Sequence, residues 1–234
     1  MSSNVWRTAV ATKKRDLVLR LVRDCGGSYA DAVLILCAVI SGLAAQVWRG
    51  RGKDRERFVE VLQEFGPKET TRISLPFLIR HLKKQQRHAE KKKLAKQFFD
   101  NPQYGSLDGD TVDKYEDEII DACESLSREE LRVFSYGNLL YKEIRSAYTH
   151  EYGAGSSVDS SPSGPYRTVT YVNWVENPRS QDTVWRINFN VEWIGNVAVE
   201  VAKALDNRAD KSKPSSPKSW WVDGNKMKTR IVYC

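Results

Sequence analysis

Cysteine is scarce, and its scatter excludes more than its number. Cys25, Cys37, Cys123 and Cys234 are the only four, and no two stand at the short spacing that holds a structural zinc. Cys37 lies in an apolar run and reads as a small buried hydrophobe. Histidine is scarcer still, with three residues. His81 and His88 stand inside a charge run, where an imidazole is ordinarily a surface group. No carboxylates cluster as a two-metal nuclease would need, and the spacing calls for neither metal nor cofactor. There is no internal repeat. The opening MSSNVWRTAVATKKRD lacks the apolar core of a secretory leader, and a reducing cytoplasm is the expected setting.

Long apolar runs are also few. The one candidate, AVLILCAVISGLAAQVW from Ala32 to Trp48, is short for a bilayer span and carries Ser41 and Gln46. It reads as a bundle helix buried on nearly all sides, so no membrane partner is expected. The basic turn Arg49-Gly50-Arg51-Gly52-Lys53 lacks the glycine spacing, and the Ser or Thr after lysine, that a phosphate loop requires.

What is present is basic charge. The 234 residues carry a formal net charge of +7 and a pI near 9.2, a balance that favours an anionic partner without identifying it. The length suits one domain with appendages. Residues 1–207 read as that domain, mainly α-helical, with a charged excursion over 84–124 and a β-hairpin over 166–191. Residues 208–234 read as a tail or a second small hairpin.

Helices are predicted over 5–24, from a Ser28 cap to about Trp48, over 53–65, and from Ser74 onward with Pro76 in the first turn. The Ser74 helix becomes HLKKQQRHAEKKKLAKQFF, in which Lys84, Arg87, Lys91 and Lys92 are candidate RNA-phosphate contacts. Charge runs are ordinarily solvated faces, and pairing with the acidic stretch 113–124 is the plainer alternative. Ser127 and Glu130 have capping-box spacing at the head of a helix expected to run to Gly153. YRTVTYVNWV and DTVWRINFNV alternate as two strands around Asn177-Pro178. Ile194, Val197, Ala198, Val201 and Leu205 mark a last helix. Trp174, Trp185 and Trp193 suit core positions better than base-stacking platforms.

The stretch RSAYTHEYG, 145–153, holds the chemistry. On a wheel turning about 100° per residue, Phe134, Gly137, Leu140, Tyr141, Ile144, Ala147 and Tyr148 form one apolar stripe. Arg145, Ser146, Thr149 and His150 fall on the other side. One packed face would hold the other rigid. Histidine moves protons near neutral pH, and the arginine fork matches phosphate oxygens. That pair suits metal-free cleavage of RNA, whose 2′-hydroxyl is the built-in nucleophile. One histidine cannot serve as base and acid together, so a two-fold dimer pooling two copies is expected. The plainer alternative is a helix end, with Arg145 paired to Glu143 or Glu151 and His150 near the terminal carbonyls.

Arg145-Ser146-Ala147-Tyr148-Thr149-His150 resembles the signature of the HEPN superfamily. With Tyr152 it is similar to the extended form found in HepT-type toxins. The resemblance implies an HEPN-like helical bundle that dimerises about its motif helices. It implies metal-independent endoribonuclease activity in toxin–antitoxin or phage-defence systems, with RNA as substrate. By position, Arg145 would bind the scissile phosphate, His150 would transfer protons, and Ser146 would support them. Tyr152 would match a tyrosine that a nucleotidyltransferase partner modifies with AMP; such a partner or antitoxin would be a separate chain. Some HEPN domains are non-catalytic modules that bind nucleic acid or protein.

Overall fold

The computed structural model describes residues 5–48, 54–99, 105–151, 155, 157–159, 168–177 and 182–208. The basic turn at 49–53, Tyr152 and the tail beyond Arg208 lie outside them. The architecture is mainly helical, with a three-stranded antiparallel sheet assembled largely from the C-terminal third.

Helix α1 (Trp6–Asp24) ends where Gly26 takes a φ of 66°, in the left-handed region that favours glycine. Ser28 then caps α2 (Tyr29–Val47) through a reciprocal box with Asp31. Length and apolar composition would let α2 cross a membrane; in this fold it packs on α1, α3 (Asp54–Phe65) and α11 (Val191–Asn207). Cys37 is among its buried residues, and burial pushes that thiol up to about 12. Helix α11 runs antiparallel to α1. Its last turn brings Asp206 to the start of α1, where the carboxylate accepts from the Thr8 amide at 2.8 Å and from Arg7 at 3.1 Å. Arg15 meets Asn196 further along the pair. Asn190 caps α11 by accepting from the Glu192 and Trp193 amides. The core between these helices contains Leu36, Ile40, Phe58, Leu62 and Ile194, all fully buried; each contributes about 1.5–3 kcal/mol relative to exposure.

After a 3-10 turn at Lys68–Thr71 comes α4 (Leu75–Lys84), with Pro76 in its first turn as the sequence predicts. The single long helix expected from Ser74 is not formed. The chain breaks at residues 85–87 and resumes as α5 (His88–Phe98). No glycine or proline marks the break; Gln86 makes it with a φ of 58°. A Gln86→Gly variant is therefore expected to be more stable by about 0.5–1 kcal/mol, because the left-handed conformation is strained for a residue with a Cβ. Urea midpoints measure this, and a lower midpoint refutes it.

The helix expected from Ser127 to Gly153 is likewise divided. It comprises α8 (Arg128–Arg132), α9 (Tyr136–Leu139), a π-helix (Leu140–Ser146) and α10 (Ala147–Glu151). Ser127 caps α8 by accepting from the Glu130 amide. The Glu130 carboxylate is drawn away to Arg87 at 2.5 Å. Ser135 then caps α9, resetting the helix.

The predicted hairpin forms as β2 (Val169–Asn177) and β3 (Asp182–Phe189), and β1 (Ser106–Asp108) adds to β2. Leu107, Tyr171 and Ile187 share one register line. Val169, Tyr171, Ile187 and Phe189 are buried against the helices, as alternation requires. The far edge of β3 is met by Val158, in a parallel bridge to Ile187. Between β1 and α8 lie α6 (Gly109–Val112) and α7 (Glu116–Ala122). The acidic stretch is paired in part with α8, through Arg132–Glu116 at 2.7 Å and Arg128–Asp117 at 2.6 Å.

Candidate functional site

The apolar stripe read from the sequence is sealed. Phe134, Gly137, Leu140, Tyr141, Ile144, Ala147 and Tyr148 are all buried. Tyr141 meets the Phe58 ring edge-on at 5.3 Å, and Tyr148 meets Tyr29 at 6.3 Å. These contacts fix the segment to α3 and α2. On its other side Arg145 and Ser146 are half-buried, while Thr149 and His150 are exposed. The Thr149 hydroxyl donates back to the Arg145 carbonyl at 2.6 Å.

The π-helix places Arg145 among partners that spacing does not reveal. Its guanidinium meets Asp54 at 2.5 Å, lies 5.1 Å from the Tyr141 ring centroid and donates to the Tyr141 hydroxyl at 3.3 Å. The Tyr141 hydroxyl in turn donates to Asp54 at 3.4 Å. Asp54, in the first turn of α3, is therefore an anion that holds Arg145; Glu143 instead pairs with its neighbour Lys142 at 2.8 Å, and the side chain of Glu151 lies outside those described. Burial pushes the Tyr141 hydroxyl above its ordinary range; Arg145 opposes that shift and Asp54 adds to it. Mid-helix π segments are rare and are found often at functional sites. Here one carries the candidate phosphate-binding arginine and its aromatic neighbour.

A second group of cations adjoins the first. Arg55 of α3 donates to Asn138 at 3.5 Å, and its Nε is buried without a hydrogen-bond partner. Arg80 of α4 donates to Ser157 at 3.0 Å and lies over the Phe77 ring. Burial lowers the ammonium pKa of Lys142; Glu143 opposes that, and Arg55 and Arg80 add to it. Asp54, Arg55 and Lys142 escape the sequence reading, in which Tyr141 enters only as part of the apolar stripe and Arg80 only as part of the basic run, because these residues come from three separate elements. The one available sign was the basic residues interspersed among apolar positions.

The lysine-rich helix lies elsewhere. Helix α5 packs on α4 and α7, whereas α10 packs on the π-helix and α2. Lys84 and Lys92 are exposed and Lys91 is half-buried. Arg87 is bound between Glu90 at 3.0 Å and Glu130 at 2.5 Å, which already satisfies the charge offered to a phosphate. His81 is half-buried beside Phe134, and burial lowers its pKa; His88 is exposed. Among the described residues no group of three or more His, Cys, Asp or Glu side chains is placed to hold a metal. Trp193 is core and stacks on Phe189 at 5.9 Å, while Trp185 is half-buried against Phe99. Trp174 departs from the core expectation: it is 43% exposed, with the Arg186 guanidinium 4.6 Å from its ring centroid.

Comparison with known proteins finds no matching family model, no matching curated protein and no matching solved structure.

Proposed function

We propose that this chain is a metal-independent endoribonuclease of the HEPN kind, acting as a homodimer and serving as a toxin or phage-defence effector. The observation that carries the reading is an exposed His150 five residues beyond Arg145, on a segment whose opposite face is sealed in the core. In a two-fold dimer, one imidazole would take the proton from the RNA 2′-hydroxyl as that oxygen attacks phosphorus. The other would protonate the departing 5′-oxygen. Arg145 would neutralise the charge gathering on the phosphoryl oxygens, with Ser146 in support. The products are a 2′,3′-cyclic phosphate and a 5′-hydroxyl. In the cell, an antitoxin or nucleotidyltransferase partner acting on Tyr152 belongs to the same reading.

The test is incubation of the purified chain with RNA in excess chelator, with end-group analysis of the fragments and the mass in solution measured alongside. Cyclic-phosphate ends from a dimer support the reading. A strict monomer, or RNA that stays whole, overturns it.

A non-catalytic module that binds nucleic acid or protein is the second reading. The ion pair with Asp54 favours it, since Arg145 is already neutralised at 2.5 Å. Under that reading RNA binds in a salt-sensitive way and is never cut.

A further inference from the structure

Helices α1 and α2 form a layer that packs on α11. Thr8 and Arg15 of α1 reach α11, bonding Asp206 and Asn196. On a wheel of about 100° per residue they lie roughly opposite Trp6, Val10 and Leu17, which fall within about 40° of one another. Those three are 43%, 46% and 42% exposed. Helix α2 shows the same asymmetry. No charged residue stands between Ala32 and Trp48, yet only 39% of its most apolar 18-residue stretch is buried. Leu36 and Ile40 are sealed in the core. On the opposite side Ala38, Gly42 and Ala45 are exposed, within about 60° of one another. A contiguous exposed apolar surface across two helices marks an interaction site.

The surface is complementary to itself. Arg7 donates to Gln46 at 2.8 Å, which sets the level of one helix against the other. At equal rise per residue, Val10 stands level with the Gly42 turn and Leu17 with the Ile35–Ala38 turn. A bulky stripe thus runs beside a flat strip of small residues. A two-fold axis parallel to the helices keeps every level and lays α1 of each copy on α2 of the other, bulk against hollow. An axis across the helices would set α1 on α1, bulk against bulk. Each helix has 19 residues, about 28 Å in length, and two helices about 8–10 Å apart give a face about 18 Å wide. The footprint is about 500 Å² a copy, or about 1,000 Å² for the pair, the lower bound for a specific interface. Lys13 and Lys14, both exposed beside the stripe, reach past the seam to water on their long stems.

We propose that this outer face of α1 and α2 is a homodimer interface, with the stripe Trp6, Val10 and Leu17 of each copy seated on Ala38, Gly42 and Ala45 of the other. The face stands independently of cleavage; the choice of a second copy as occupant agrees with, and in part rests on, the ribonuclease reading. Helix α10 packs on α2, with Tyr148 against Tyr29 in its first turn. An axis parallel to the helices therefore keeps both copies of α10 at one end of the dimer, as a shared site requires.

The experiment measures the mass of the full chain by sedimentation equilibrium across a concentration series. Val10→Glu and Gly42→Arg are each expected to weaken the dimer at least tenfold. Neither should disturb the protomer, since Val10 is exposed and a side chain at Gly42 meets nothing within 4 Å; a thermal melt checks this. Register is read by oxidation in a background carrying Cys25→Ser and Cys234→Ser. Chains with Val10→Cys, mixed with chains with Gly42→Cys, should cross-link to each other. Val10→Cys chains alone should not. A dimer that withstands both Val10→Glu and Gly42→Arg overturns the proposal, as does efficient cross-linking of Val10→Cys to itself. So does a strict monomer, whether vesicles of phosphatidylcholine and phosphatidylglycerol then capture the chain or leave it in solution. A dimer that cross-links as stated but leaves RNA whole sinks the nuclease reading alone. RNA cut by a dimer that withstands both substitutions sinks the interface alone.

Discussion

His150→Ala is expected to lower RNA cleavage by about 10²–10⁴-fold, the usual contribution of a positioned acid or base, while leaving the melting temperature nearly unchanged. The second half of that expectation gives the first its force. His150 is exposed, and the packing of its segment runs through Leu140, Ile144 and Tyr148 instead. Truncating an exposed side chain away from such contacts usually changes stability by less than about 0.5 kcal/mol, so lost activity cannot be ascribed to lost fold. Arg145 offers no such clean test. Arg145→Ala strips Asp54 of its ion pair and Tyr141 of its stacked cation, and both stability and binding would move together. Arg145→Lys keeps the charge and loses the fork; it should retain the fold and cut more slowly. If His150→Ala cuts as fast as wild type, the proton-transfer role is gone, whatever the arginine does.

How far the sequence carried this fold depends on whether the signal was local. Ser28 capping α2, Pro76 opening α4 and the strand alternation around Asn177-Pro178 are local, and each element stands close to where its pattern put it. The buried stripe of the motif segment was legible for the same reason. What periodicity could not show were the interruptions inside two long apolar patterns. The break at Gln86 has no glycine or proline to announce it. The reset at Ser135 uses a cap that a helix interior would tolerate, and the π-helix preserves apolar positions while changing the hydrogen-bond ladder. β1 was hidden in a turn-rich loop, since three residues are too few for alternation to register. At the candidate site, Arg145 and His150 were visible as a motif. Asp54 was not, because an ion pair between distant elements leaves no trace in the spacing of either.

The widest structural effect is expected at a buried carboxylate far from the motif in sequence. Asp113 is 2% exposed. One of its oxygens accepts from the Leu75 amide at the head of α4, at 2.9 Å; the other accepts from the hydroxyls of Tyr136 and Tyr171. Tyr171 also meets the Ser74 hydroxyl at 2.8 Å, which explains why Ser74 heads α4 without capping it by its own side chain. Four pieces, the start of α4, the turn after α6, α9 and β2, are thus joined through one side chain. Burial pushes the Asp113 carboxyl up to about 7, against the pull of both tyrosines, the Leu75 amide and Arg72. Because the folded value lies above the ordinary 3.8, folding takes up a proton between the two. The stabilising contribution of this group is whole below about pH 4 and is lost as pH rises through about 7, with a slope of up to about 1.4 kcal/mol per pH unit in between. Wild-type urea midpoints should therefore fall from pH 5 to pH 7.5. Asp113→Asn, which keeps an acceptor for Leu75 and cannot ionise, should flatten that fall. Asp113→Leu should cost about 3 kcal/mol or more at pH 5, since it orphans the Leu75 amide and the hydroxyl of Tyr136 in the core. An Asn variant with the wild-type pH slope would mean that this carboxyl is ionised throughout, its hydrogen bonds outweighing its burial.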